Sequence, residues 1–493
     1  MKKIIYILLI VFFSQPAAYG QKETSWWHFG YKSGLNFNSL SNAIAADGTV
    51  VADMPEAIVG PLDTREGCFT VSTYDGKLLF SSDGSTVYDK NGNVMTNGTG
   101  LFGDFSATQS GIAIPKPGSL TEYYVITVPA MGGTAGSDGL RYSIVDISKT
   151  NNGSFGAVTS KNIIIKAGYV YENISAVPNA NGKDYWLIHR SDKTFYIYAV
   201  TSTGINTTPH FTLASANIFL GGPQGEVIIS SDYKKIVSVN WGGKQVISAD
   251  FNPATGVISD IRTLECPYQT YGGTFSPNGK YIYIGTGFEN GGRLYSNTWD
   301  NLRSGATLIY LASGFANIRA AMDKRLYGIQ CSIVTSAEIP TKNLAVVMNP
   351  DDGGSIIKYF PDYLKNTAAL GLPTFATGFI RIIPKEQPFA CAANRRTYSV
   401  EVDLSGGNVP SRLEWNFGDG TPVINQTVSS TQSKYSKVHS YNDAGMYTIT
   451  ITPYKGDGTA LPPITMLANI VYCSLKSNSM TRSDLHNSKQ MMQ

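Results

Sequence analysis

Charge is scarce in this chain. Of 493 residues only 15% are Asp, Glu, Lys or Arg, and the formal net charge is +3. No run of lysines or arginines is long enough to make the electrostatic footprint that nucleic acid requires, so no DNA or RNA partner is expected. Cysteine is sparse too. Cys68, Cys266, Cys331, Cys391 and Cys473 are too few to scaffold a chain this long, and an odd number leaves one unpaired in a monomer. The histidines, His28, His189, His210, His439 and His486, are scattered, and no pair has zinc-ligand spacing. We therefore expect no metal and no cofactor. Also missing are the G-x-S-x-G elbow, H-E-x-x-H, the P-loop and the dinucleotide fingerprint. SSDGSTVY (81–88) fails as a sialidase Asp box, since Gly84 follows Asp83 one position early. No catalytic residue can be named from the sequence.

Long apolar runs are confined to the N-terminus. MKKIIYILLIVFFSQPAAYG (1–20) has Lys2 and Lys3, an apolar stretch from Ile4 to Phe13, and small residues at Ala18 and Gly20. This is the three-part pattern of a secretory signal peptide, cut after Gly20, and the stretch is shorter than the roughly 20 residues of a spanning helix. No later segment can span a bilayer, and no cysteine follows the run closely enough for lipid attachment. The sequence thus predicts export, to the periplasm, the cell surface or the medium. In that oxidising setting a bridge between Cys391 and Cys473, which bracket the last compact segment, is expected.

What the chain has in abundance is Gly (50) and Tyr (29), with short runs of Val, Ile, Thr and Tyr between the glycines. That is a composition for strands and turns, and the fold class is all-β. A loose repeat runs through residues 27–380: a turn with Gly and Asp or Asn, a lysine, then a short strand. It recurs in YDGKLLFSSDG (74–84), NGKDYWLIHRSDKTFYIYAV (181–200), SSDYKKIVSVNWGGKQVISADFN (230–252), FSPNGKYIYIGTG (275–287) and AMDKRLYGIQ (321–330). Lys77, Lys183, Lys235, Lys280 and Lys324 are separated by 106, 52, 45 and 44 residues. The first gap holds a further strand pair, EYYVITVPA (122–130) and GLRYSIVDI (139–147), and so counts as two units. A period near 45 built of short paired strands predicts blades stacked around an axis: a β-propeller of seven blades, or eight.

FSPNGKYIYIG (275–285) resembles the WD40-like repeat of the TolB type, with 230–237 a degenerate copy. WWHFGYKSGLNF (26–37), residues 66–101, TQSGIAIPKPGS (108–119) and GLRYSIVDI together resemble the propeller region of secreted Bacteroidetes proteins of the type IX secretion and gliding-motility type. The resemblance implies architecture and says nothing of activity.

Past GLPTFATGFIRIIPKEQP (371–388) the character changes to short alternating strands of an immunoglobulin-like β-sandwich. Trp415, Phe417, Gly418, Asp419 and Gly420, followed by His439, Tyr441, Gly445 and Tyr447, resemble the PKD signature W-x-F-G-D-G…H-x-Y-x-x-x-G-x-Y. The spacing puts Trp415 and Phe417 on one side of a strand, makes Asp419 a turn lock between glycines, and makes Tyr447 a tyrosine corner. A PKD domain implies a spacer or interaction module. The expected organisation is a signal peptide (1–20), propeller (21–384), PKD domain (385–475) and a disordered polar tail (476–493) that lacks a recognisable sorting domain.

Two sets of side chains stand out as functional candidates. Asp63, Glu66, Asp184, Glu226 and Asp250 are carboxylates near turns that could converge from different blades. Trp26, Trp27, Tyr31, Tyr185, Trp186, Trp241, Tyr268 and Tyr271 lie near strand ends, where rings either stack on a ligand or fill the wedge between blades. Of these, Trp26, Trp27, Trp241, Tyr268 and Tyr271 are the ligand-binding candidates. The function so read is an exported, non-catalytic binding and scaffold protein whose loops recognise a glycan or a protein of the envelope. The alternatives are a carbohydrate-active hydrolase or lyase on the propeller, and a structural subunit of an envelope assembly.

Overall fold

The computed structural model describes residues 22–471, apart from 74, 120, 131–138, 152, 288–290, 331, 335–336, 379–381, 385–389 and 403–408. The leader (1–20), the tail (476–493) and the expected Cys391–Cys473 bridge lie outside the described residues.

Seven antiparallel blade sheets follow one another in chain order through residue 360, and a separate two-stranded sheet, Ser332–Val334 with Ala337–Ile339, lies between the second and third strands of the seventh. Blade 1 is Trp26–Phe29, Tyr31–Ile44 and Val50–Asp63; blade 2 is Phe69–Ser72, Leu78–Ser82 and Val87–Asp89. Blade 3 comprises Gly111–Pro115, Glu122–Thr127, Leu140–Asn151 and Ser154–Lys166. Blade 4 has Ser175–Pro178, Tyr185–Ser191 and Thr194–Thr201, the last carrying both Gly204–Ile205 and Phe211–Ala214. Blade 5 is Val227–Ile229, Lys235–Asn240, Gln245–Asn252 and Val257–Glu265. Blade 6 is Thr270–Phe275, Tyr281–Thr286, Arg293–Thr298 and Ile309–Ser313. Blade 7 is Arg319–Ala320, Leu326–Ile329, Leu344–Val347 and Ile357–Phe360. The first strands of blades 2 to 7 are neighbours in that order. Trp27 and Phe37 of blade 1 meet Tyr327 of blade 7 at ring centroid distances of 5.9 and 5.3 Å, closing a seven-bladed propeller.

The repeat lysines mark one turn in each unit. Backbone bonds Thr73 to Lys77, Asn179 to Asp184, Ser230 to Lys235, Ser276 to Tyr281 and Ala321 to Arg325 close the hairpins between first and second strands. The strand after each turn is mostly apolar on both sides because both its faces are covered. In KYIYIG, Ile282 and Ile284 pack with Val237 and Val246 of blade 5, while Tyr283 packs with Leu326 and Val347 of blade 7. Similar apolar wedges fill the other inter-blade gaps from blade 2 round to blade 1. Each fully buried aliphatic side chain there contributes about 1.5–3 kcal/mol of hydrophobic stabilisation.

The second unit is a β-sandwich. One sheet holds Ile382–Pro384, Arg396–Val402 and Lys434–His439; the other holds Ala390–Cys391, Ile464–Val471, Gly445–Tyr454, Arg412–Asn416 and Ile424–Thr427. Its first strand, Ile382–Pro384, lies ahead of the boundary read from sequence and already pairs with Arg396–Val402. Trp415 and Phe417 are both enclosed in its core.

Candidate functional site

After blade 7 the chain does not leave the propeller directly. Residues 367–378 turn back through the ring. Tyr31 of blade 1 donates its backbone N–H to the Thr367 carbonyl, the Leu370 and Gly371 amides donate to Arg65, Thr374 to Cys68 of blade 2, and Thr377 to Ala176 of blade 4. Gly378 then sits against Tyr233 of blade 5. This axial strap has no periodicity because its neighbours differ at every step: Leu370 and Leu372 join the core shared by blades 1 and 7, and Ala376 the core shared by blades 3 and 4.

Beside the strap lies a chamber of about 340 Å³. It is lined by hairpin-turn residues of three blades, Ser231 and Tyr233, Ser276 and Pro277, and Met322 and Lys324, of which Lys324 is exposed. It is also lined by Val227 to Ile229, Thr274, Arg319, Gln109 and Ser175, and by Thr374 to Gly378 of the strap. Its charged lining residues are both cationic, Arg319 and Lys324, and among the described residues no Asp, Glu, His or Cys lines it.

The carboxylates cluster at the opposite ends of the first strands, where one blade passes to the next. Glu66, Glu172 and Glu226 are buried, and each is held by donors. Glu66 accepts from the Tyr271 hydroxyl at 2.8 Å and from Ser106 at 3.3 Å. Glu172 accepts from both the amide and the hydroxyl of Thr108 at 2.9 Å. Glu226 pairs with Arg319 at 2.7 Å and accepts from Asn317 Nδ2 at 2.8 Å and the Gly273 amide at 3.2 Å. Burial, and then the negative charge of Glu66 with smaller contributions from Glu172 and Glu226, holds the Tyr271 hydroxyl well above the usual phenol range. Gln109 adds to this lattice, its Oε1 accepting from the amides of Ile174 and Val227.

Of the carboxylates read from sequence, Glu66 and Glu226 are therefore both buried where blades join, and the charge of each acts on the Tyr271 hydroxyl. Asp63 is exposed at the end of its strand, Asp184 bonds Asn181 within a hairpin turn, and Asp250 pairs with Arg303 at 3.4 Å on the third strand of blade 5. The aromatic candidates are split. Trp27 is fully enclosed between Phe37, Tyr327 and Phe375, and Trp26, half-buried, donates to the Gly76 carbonyl at 2.8 Å. Tyr271 is enclosed; half-buried Trp241 meets it edge-on at 5.6 Å, and half-buried Tyr268 lies under the Arg293 guanidinium at 4.2 Å. Trp27, Tyr271 and Trp241 thus share one core cluster, Tyr268 packs against another, and Trp26 lies outside both, so the five do not form one surface.

In the sandwich, Asp419 accepts from the Thr421 amide at 3.1 Å, from its hydroxyl at 2.6 Å and from His439 Nε2 at 2.7 Å. His439 stacks on Phe417 at 4.0 Å, Tyr441 donates to the Phe417 carbonyl at 2.9 Å, and Tyr447 donates to the Asp443 carbonyl at 3.1 Å. Gly418 and Gly420 turn the chain with φ of 75° and 82°, and Gly445 opens the strand that carries Tyr447. Every polar contact of Asp419 is local to this turn and its facing strand.

Sequence reasoning missed Glu172, Gln109, Arg319 and Thr374. For Glu172 a signal existed: Glu66, Glu172 and Glu226 each stand one to three residues before a first strand, so the repeat phase places all three at one level of the ring. Thr374 carried none, since the strap belongs to no repeat.

No protein-family model matches the sequence, and no curated protein matches it. Among solved structures, the chain is similar to a putative 6-phosphogluconolactonase from Bacteroides fragilis, with 13% identity, 70% of this chain and 96% of that chain covered, and a TM-score of 0.42. It is similar to the periplasmic gluconolactonase PpgL of Pseudomonas aeruginosa, with 10% identity, coverage of 71% and 97%, and a TM-score of 0.34. It is also similar to TolB from Acinetobacter baumannii, with 11% identity, coverage of 58% and 62%, and a TM-score of 0.29.

Proposed function

We propose that this is an exported, non-catalytic binding and scaffold protein: a propeller that recognises a glycan or a protein of the cell envelope, followed by a PKD-type sandwich acting as spacer or interaction module. The observation that carries the reading is the separation of cavity from carboxylates. The axial chamber offers hydroxyls, an amide and two cations, whereas the three buried glutamates are each engaged by two or more donors and do not line it. General acid–base hydrolysis needs a carboxyl group within reach of the bound substrate. Here the glutamates act as struts that tie together the loops between blades.

Export is supported by the leader pattern of residues 1–20. The loops between blades also present Phe102, Phe105, Phe219 and Leu220 to solvent, which suits contact with a protein partner at that end. The resemblance to secreted Bacteroidetes proteins supports an envelope setting.

A glycan array and an envelope pulldown with the chain from Gln21 onward test the proposal, with product analysis on every hit. Saturable binding without turnover supports it. Product formation that disappears in E66Q or E226Q, with the variant shown to be folded, would instead establish the hydrolase, the reading that three buried carboxylates acting on Tyr271 would favour.

A further inference from the structure

We propose that the axial chamber binds a monosaccharide-sized, polyhydroxylated anion, with the oxyanion held by Arg319, Thr374 and Lys324. This rests on the binding reading above and names the chemistry of its ligand.

Two unmade hydrogen bonds point to it. Arg319 spends Nη1 and Nη2 on Glu226, and its buried Nε has no acceptor. Thr374, on the strap, is 4% exposed, and its hydroxyl has no partner. A buried polar group left unpaired costs about 1–3 kcal/mol, and both of these belong to residues that line the chamber, so a ligand acceptor that either side chain turned to meet would relieve that cost. Lys324, also on the lining, is exposed and in no ion pair with a described residue, so its charge is available.

The sign of the ligand follows from the charges. Glu226 neutralises Arg319, Lys324 is left uncompensated, and no carboxylate lines the wall, so the chamber carries a net positive charge and donors that an ionised carboxylate or phosphate satisfies. The rest of the ligand follows from the walls. Ser175 and Thr377 are hydroxyls able to donate to or accept from a polyol, Ser231, Thr274 and Ser276, whose hydroxyls donate to Pro277, Phe275 and Asn278, can still accept from it, and Phe375 supplies an apolar face for its C–H groups. A volume of about 340 Å³ is at the lower end of ligand pockets, which run from roughly 300 to 1,000 Å³, and holds one sugar ring rather than a chain.

The test is calorimetric titration of the chain from Gln21 onward with glucuronate, glucose 6-phosphate, glucose and inorganic phosphate. Glucuronate, glucose 6-phosphate or both should bind, at least about tenfold tighter than glucose or phosphate alone, and which of the two wins tells carboxylate from phosphate. K324Q should weaken the anion by about three- to tenfold and leave glucose unchanged, and T374V should weaken it at unchanged thermal stability. Equal binding of glucose and glucuronate would overturn the anion assignment and leave the binding reading standing. No heat from any of the four with folded protein would overturn the chamber as the site, and hits on the glycan array would then place recognition on the loops.

Discussion

The Tyr271 hydroxyl donates to the Glu66 carboxylate at 2.8 Å across the propeller, joining blade 6 to the loop that opens blade 2 over a sequence separation of 205 residues. The contact is buried, so removing the donor leaves a carboxylate short of a partner in a place water does not freely reach. Y271F should lower the free energy of unfolding by about 1–2 kcal/mol while keeping the ring packed on Trp241. Denaturant titration checks this; an unchanged midpoint would show that the loops between blades are held by other means.

Glu226 and Arg319 form the most enclosed ion pair of the network, with side chains 0% and 12% exposed. E226Q should be strongly destabilising, by about 3–5 kcal/mol, because it leaves the Arg319 charge without its counterion. The double variant E226M/R319M removes both charges and should recover a large part of that loss. A double variant as unstable as E226Q in thermal unfolding would show that Asn317 and Gly273, not the ion pair, carry the site.

The strap is tested at Gly378. Its φ is +81°, and a Cβ there would come 1.7 Å from the Tyr233 hydroxyl oxygen. G378A therefore combines left-handed backbone strain with a clash, roughly 2–5 kcal/mol together. Because Tyr233 Cζ and Cε1 would also lie only 2.4 and 2.6 Å from that Cβ, removing the oxygen alone leaves a clash, and the pair G378A/Y233F should recover only part of the loss. A fully stable G378A protein would contradict the path given for residues 367–378.

Two buried histidines set the acid limit of the propeller. Burial lowers His28 to about 4 and His189 to about 3 from an ordinary value of 6.5. Both pKa values are lower in the folded chain than in the unfolded one, so between them the unfolded chain binds the extra protons. The stability linked to them is complete above pH 6.5 and is lost as pH falls toward 4 for His28 and toward 3 for His189. For His28 the full difference corresponds to about 3 kcal/mol. Melting temperatures recorded from pH 7.5 to 4.5 should fall, less steeply in H28Q; a flat profile would show that neither ring is neutral for reasons of burial.

Much of the architecture was legible because it repeats. The lysine phase of Lys235, Lys280 and Lys324 reports a hairpin turn that each blade must make, and the alternation of Ile282, Tyr283 and Ile284 reports two covered faces. The turn around Asp419 was legible because all its partners except His439 are local. The axial site was not. Its residues come from the ends of first strands and from a strap outside the repeat, and they meet only when the ring closes. Rings such as Trp27 and Tyr271 carry the same sequence signature whether they pack or bind, and both proved to be enclosed.

The most direct test of the account is calorimetric titration of the protein from Gln21 onward with glucuronate and glucose 6-phosphate, with the solution analysed for products afterwards. The account predicts saturable binding of one anion per chain, weakened by K324Q and T374V, with the sugar recovered intact. Turnover of either compound that is abolished in folded E66Q or E226Q protein would contradict it.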